Sequence, residues 1–583
     1  MEEHLKTKAR VDSVLRELQA HAGEMSSSMI WELHGLMLET ATALLRASNY
    51  KQPLLRLPNE ILGQIMDYIP DLREDKEDNL RPFWRSGAAD TLMLLPISQT
   101  CHRLRAVALG DPLLWRHIYA TCLLAGTDGC IEELVSRSEE LPLTIVLMNA
   151  DPSLILSPKV CIRAQELHMV HMDMTVYILH TFFQLPWPEL QVLSLTHSEE
   201  TTWNGDNFIS LSQAPRLRYL HLQHLSTFVS GEMPSLTHIS LSMLHLRDCH
   251  ARMAAFLSSC PNLVNVTLDR MNHHTTPRRP QPLVLPRLKR ITFHDMTTPV
   301  IQFYLTVFSC PRPGLALQIL SPGEVPLRRF PLANLLPQYA RGAASSLAIS
   351  GHLQQDEEDT DDDDDDDEPK LLLSVTAYSE TNAFRICRPY EVLMQHLHRI
   401  VAGESSLANL REVCIVNVPV SYSARLTDII SSVLASLPAL ETLTVVLDHS
   451  QFARARPNLR NLPRSSDLSL KGTRLRTVRL VHGFSKHPIS EHQSGSPSER
   501  PSVKLPLSKV LAQLLSRQYD YLDALILQTT RHFHIDGSDL EEVAEHIPTV
   551  RHETIDALPS MKYPDFCYEP ASSSKTAFPA SLW

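Results

Sequence analysis

Apolar positions along most of this chain follow one recurring pattern. A leucine after proline or a small residue is followed at plus three and plus five by further aliphatic or aromatic residues. The unit appears as PELQVLSL (Leu190, Leu193, Leu195), PRLRYLHL (Leu217, Leu220, Leu222) and PSLTHISL (Leu236, Ile239, Leu241). It continues as PNLVNVTL (Leu263, Val266, Leu268) and PRLKRITF (Leu288, Ile291, Phe293). Later copies are ANLREVCI (Leu410, Val413, Ile415), PALETLTV (Leu440, Leu443, Val445) and TRLRTVRL (Leu475, Val478, Leu480). The first five step by 27, 19, 27 and 25 residues; one copy could be chance leucine spacing, but eight in phase with prolines and helices mark a repeat. The last two apolar positions of each unit lie two apart, so they share one face of a short strand. Between copies run segments with helical spacing, RMAAFLSSC, VIQFYLTVFSC and LTDIISSVLASL, which end at Pro261, Pro311 and Pro438. Proline disfavours helix at the residue before it and returns the chain to extended structure.

One strand and one helix cannot bury an apolar face alone, whereas stacked neighbours can. The pattern therefore predicts an α/β fold: a curved strand–helix solenoid over residues 121–558, with a parallel sheet inside and helices outside. It resembles leucine-rich repeats of the degenerate kind, which implies a horseshoe. The asparagine or cysteine that regular repeats carry shortly after the strand is mostly missing. In this reading partners are recognised through exposed strand positions such as Gln191 and Ser194, Arg218 and His221, Thr237 and Ser240.

The first 50 residues read differently. Val11, Leu15, Leu18, Ala22, Met25, Met29, Leu33 and Leu36 follow at spacings of three and four, a helical stripe. Gly23 and Ser26–Ser28 weaken its middle, so two helices are possible. The expectation is a helical cap packed on the rest of the chain, with a dimerisation arm as the alternative. Residues 51–120 then form compact helices. In LLRLPNEILGQIMDYIP, Pro58 suits a first helical turn and Glu60 the positive end of the helix dipole. Ile61, Leu62, Ile65, Met66 and Ile69 make one wide apolar face, and Pro70 stops the helix.

Downstream, ISQTCHRLRAVALGDPLLWRHI carries an amphipathic helix, an Asp-Pro turn and a Leu-Leu-Trp. Together the two blocks resemble an F-box: Leu57, Pro58, Glu60, Ile61 and Leu62, then Ser98 and Cys101, then Leu114 and Trp115. Leu104 stands where an aromatic is common, and an insert at about residues 71–95 lengthens the loop between blocks. The N-terminal helix, box and ragged repeats are similar to F-box proteins of mushroom-forming fungi. The resemblance implies docking on a Skp-type adaptor of a cullin-based ubiquitin ligase, with the repeats holding a protein substrate and no chemistry in this chain. It points to Leu57, Pro58, Ile61, Leu62, Ile65, Ile97, Leu104, Leu114 and Trp115 as the adaptor-facing or box-core set. The alternative is a non-catalytic scaffold not engaged with a ligase.

Charge adds one feature. The run Asp356–Glu368 holds twelve acidic residues and accounts for the whole net charge of −12, so the remainder is neutral and no basic face invites nucleic acid. That run (within an insert at 353–369), a polar insert at 485–503 and the tail 559–583 are expected to be poorly ordered. The ten cysteines form no C-x-x-C pair and read as buried or half-buried thiols of a reducing compartment. No apolar run approaches the ~20 residues of a membrane span, and MEEHLKTKAR has no apolar signal core. The expected location is intracellular, in cytoplasm or nucleus. Nucleotide-binding, hydrolase and zinc-protease motifs are absent. RHFHID offers His532, His534 and Asp536, but 28 histidines produce such pairs by chance. No enzyme activity, cofactor or metal is expected.

Overall fold

A computed structural model describes residues 2–69, 93–121, 128–149, 155, 157–172, 182–197, 208–225, 228–244, 249–271, 282–308, 314–320, 344–354, 370–380, 382–389, 393, 409–416, 437–448, 474–483, 503–504, 507, 521–531, 533–559, 563–564 and 567. The helix expected from LTDIISSVLASL, the acidic run, the polar insert and the loop between the box blocks lie wholly or almost wholly outside these. The chain divides into two compact units, with the boundary at Val146–Leu147.

The first unit is mostly helical. Helices α1 (Glu2–His21) and α2 (Ser27–Asn49) replace the single long pattern, broken where Gly23 and the serines stand. Ser26 caps α2 by accepting a hydrogen bond from the Met29 N–H. The cap packed on the rest of the chain is not found: α2 buries none of its residues, and no described side chain of α1 is buried. Then come a single 3-10 turn (Leu54–Arg56), α3 (Asn59–Asp67), α4 (Leu94–Thr100), α5 (His102–Gly110) and a second 3-10 turn (Pro112–Trp115). Strand β1 (His117–Thr121), helix α6 (Asp128–Arg137) and strand β2 (Leu143–Met148, paired with β1) reach the boundary.

The second unit is a large mixed α/β sheet. Its strands are β3 (Ala164–Met172), β4 (Val192–His197), β5 (Tyr219–Gln223), β6 (His238–Ser242), β7 (Asn265–Asp269), β8 (Arg290–His294) and β9 (Leu315–Leu320). They continue as β10 (Ser346–Gln354), β11 (Lys370–Tyr378), β12 (Asn382–Pro389), β13 (Glu412–Val416), β14 (Thr442–Asp448), β15 (Thr477–Gly483), β16 (Ala524–Thr530) and β17 (Thr549–Ile555). Each of the eight repeat units supplies a strand. From β3 to β9, each strand pairs in parallel with the next in sequence, and the same holds from β13 to β17. Between these runs β10, β11 and β12 form an antiparallel meander set in reverse, so β9 pairs with β12 and β10 with β13.

The apolar positions fall into register. Leu193, Leu220, Ile239, Val266 and Ile291 lie side by side on successive strands, as do Leu195, Leu222, Leu241, Leu268 and Phe293. All are buried. Helix α7 (Pro158–Arg163) precedes β3, α8 (Cys249–Ser258) precedes β7 and α9 (Thr298–Val307) precedes β9. A fourth, α10 (Gly537–Ala544), precedes β17. Tyr304 of α9 lies 6.4 Å from Phe293 ring to ring, which puts that helix on the leucine face.

The backbone supplies regularity that the missing asparagine does not. The residue just after β5, β6, β7 and β8, namely His224, Met243, Arg270 and Asp295, has φ between 44° and 55°. Its N–H donates to the last residue of the following strand, in the carbonyls of Ser242, Asp269, His294 and Leu320. Aspartate and histidine tolerate this left-handed region more readily than methionine or arginine, so the turn is held by the ladder rather than by residue type.

Candidate functional site: the helical box before the sheet

Each block of the box is held by local chemistry. Leu57 and Pro58 are extended (ψ 149° and 152°), so Pro58 stands just before α3 rather than in its first turn, and Glu60 occupies that turn. The helix ends at Asp67, three residues before Pro70. In the second block the serine and cysteine have separate tasks. Ser98 is buried and donates from Oγ to the Leu95 carbonyl at 2.8 Å. Cys101 is extended between α4 and α5, and its Sγ accepts from the Leu104 N–H at 3.5 Å. Asp111 Oδ1 accepts from the Leu113 N–H at 3.1 Å, and Pro112 opens the 3-10 turn. A Cβ on Gly63 would stand 3.1 Å from Asp111 Oδ2, so this glycine lets α3 approach the turn closely.

Two side chains lock the blocks together. Trp115 is fully buried, donates from Nε1 to the Ala108 carbonyl at 2.7 Å, and has the Arg137 guanidinium 4.6 Å above its ring. Arg103 reaches back to the start of α3. Its Nη1 donates to the Leu55 carbonyl, and its Nη2 donates to the Leu57 carbonyl at 2.6 Å and to Asn59 Oδ1 at 3.3 Å. Sequence periodicity does not reveal Arg103, because its partners are main-chain oxygens.

The nine candidate residues separate by exposure. Leu62, Leu104, Leu114 and Trp115 are buried in this unit's own core with Leu55, Met66, Leu94, Val107 and Ala108. The expected single wide face of α3 is two faces: Leu62 and Met66 point inward, while Ile61 and Ile65 remain 40% exposed each. Pro58 is exposed and Tyr68 is 72% exposed, so Pro58, Ile61, Ile65 and Tyr68 form an outward apolar stripe at helical spacing. Leu57 and Ile97 are half-buried between the two groups.

A model described as F-box-like matches residues 54–121. These residues are an F-box-like domain. The match runs from the first 3-10 turn through β1 and ends before α6, which carries Arg137. No curated protein matches the chain.

The sheet of the second unit corrects one expectation about recognition. Ser194, His221 and Ser240 lie side by side but are buried, at 0%, 3% and 1% exposure. Only their neighbours Gln191, Arg218 and Thr237 reach solvent. At the end of β7, Asp269 accepts from Ser242 Oγ at 2.6 Å, and its Oδ1 lies 2.6 Å from His294 Nδ1. Burial alone raises the Asp269 carboxyl, but His294, Ser242 and Arg270 outweigh it and hold it below its ordinary value. Ser242 is bonded to the carboxylate and not to the imidazole, so this is not the nucleophile–base order that activates a serine. Burial pushes the Cys161, Cys260 and Cys414 thiols up to about 11. His534 lies 3.7 Å from Asp536, and His532 is outside the described residues. Among the described residues no three potential ligands gather around a point, and no helix is long and apolar enough to cross a membrane.

Proposed function

We propose that this chain is the substrate-recognition subunit of a Skp–cullin–F-box type ubiquitin ligase. The F-box-like domain docks the adaptor, and the strand–helix array, read as a degenerate leucine-rich-repeat solenoid, holds a protein substrate. The chain performs no chemistry in this reading. It raises the effective concentration of substrate beside the conjugating enzyme, which turns a bimolecular transfer into a nearly intramolecular one. The observation that carries the proposal is the outward stripe Pro58, Ile61, Ile65 and Tyr68 within residues 54–121. Exposed apolar side chains on a helix held from behind by Leu62 and Met66 suit a desolvated contact.

The test is capture of a recombinant Skp-type adaptor by the full chain. Wild type is expected to bind, and Ile61→Glu/Ile65→Glu to lose binding with unchanged circular dichroism, because both side chains face solvent. Absence of wild-type binding would leave the scaffold reading in place of the ligase reading.

A further inference from the structure

Helix α2 is apolar on more sides than its surroundings cover. Among its 23 residues only Glu32, Glu39 and Arg46 carry formal charges, and they recur every seven residues along one stripe. Leu18, Met25 and Leu33 are half-buried, and every other apolar side chain of α2 is exposed. A second stripe, Trp31, Leu38 and Leu45, also repeats every seven residues and lies about 120–160° around the helix from Leu33. Its members are 72%, 54% and 65% exposed. Small residues flank this stripe, Gly35, Ala41, Thr42 and Ser48, so another helix can approach closely.

We infer that α2 is a self-association helix, and that the occupant of the Trp31–Leu38–Leu45 stripe is the same stripe of a second copy, running antiparallel. Antiparallel pairing about Leu38 sets each leucine beside its counterpart and Trp31 opposite Leu45, large against smaller, in both halves of a two-fold contact. The charges favour the same arrangement. Glu32 of one copy comes within reach of Arg46 of the other, twice. Only Glu39 meets its like, near the axis. Trp31, Leu38, Leu44 and Leu45 together leave on the order of 600 Å² of apolar surface exposed, close to the ~800 Å² per partner of a standard interface. Flanking residues supply the remainder.

The experiment is light scattering on the full chain across micromolar concentrations. Wild type is expected at twice the mass of one chain. Leu38→Glu/Leu45→Glu is expected at the mass of one chain, melting where wild type melts once diluted to single chains. Glu39→Gln should shift the equilibrium further toward the pair by removing the like-charged contact. Wild type at single-chain mass throughout would overturn the inference, as would a double variant that stays paired. A double variant that is monomeric but melts below wild type diluted to single chains would also overturn it, because the stripe would then be packed on its own chain.

Discussion

Arg103 donates to the main-chain carbonyl of Leu57 at 2.6 Å, joining residues 46 apart in sequence. Through this bond and those to the Leu55 carbonyl and Asn59, α5 fixes the strand-like entry to α3 and hence the direction of the outward stripe. Arg103→Met keeps the aliphatic stem and removes the donors. Hydrogen bonds from charged groups contribute about 1.5–3 kcal/mol, and a loss of that order is expected, confined to the box. Hydrogen exchange checks it: the amides of α3 should exchange faster while those of β4–β8 do not change. Arg103→Lys should recover only part of the protection, because an ammonium cannot supply the planar fork.

Trp115 carries both core volume and a polar tie. Trp115→Ala removes a fully buried side chain and is expected to cost about 3–5 kcal/mol, enough to melt the first unit. Trp115→Phe keeps most of the volume but leaves the Ala108 carbonyl without its 2.7 Å donor. Its expected cost is about 1–3 kcal/mol, that of an unsatisfied buried acceptor. Denaturant titration of the two variants separates packing from hydrogen bonding.

These contrasts explain what was legible in the sequence. The strands of all eight repeat units were readable because a period of two, a leading leucine and burial all coincide. The strands β10 and β11 carry the aliphatic runs SSLAISG and KLLLSVTAY, yet nothing local indicates that β12, not β10, sits beside β9. Pairing partners depend on how three antiparallel segments turn over as a block. In α3, apolar residues at 61, 62, 65 and 66 read as one face because an outward apolar stripe has the same periodicity as an inward one. The burial of Ser194, His221 and Ser240 was illegible for a related reason: alternation marks the second face of a sheet but not whether water reaches it.

In the tail expected to be poorly ordered, Tyr563 and Cys567 are packed. Cys567 is buried with Ala316 and Ala383, and Tyr563 sets its ring edge-on to Tyr378 at 5.5 Å between centroids. Burial drives the Cys567 thiol up to about 12, against an opposing effect of Arg290. A maleimide should therefore leave Cys567 unmodified in native protein at mildly alkaline pH. Tyr563→Ala removes the ring packed beside it and should make Cys567 reactive while Cys161 and Cys260 stay protected. Peptide mass mapping reads all three thiols at once. Modification of Cys567 in native wild type would show that this side chain does not stay packed against Ala316 and Ala383.

His221 couples the sheet to pH. Burial lowers its pKa to about 4, against raising effects of Gln223 and Asp269, and His168 lowers it further. The folded state thus keeps the imidazole neutral where an unfolded chain, titrating near its ordinary 6.5, already binds a proton. The sign follows: this stability is present above pH ~6.5, is lost as pH falls toward ~4, and changes little below that. The full loss is on the order of 3 kcal/mol. Asp269, held below its ordinary value, acts in a lower window and does not mask the effect. His221→Gln removes the titrating group and retains a polar side chain of similar reach. Urea unfolding of the second unit between pH 4 and 6.5 should show a steep fall for wild type and a visibly flatter one for the variant. Equal slopes would mean that His221 is protonated in the folded sheet, with water or a carboxylate reaching it.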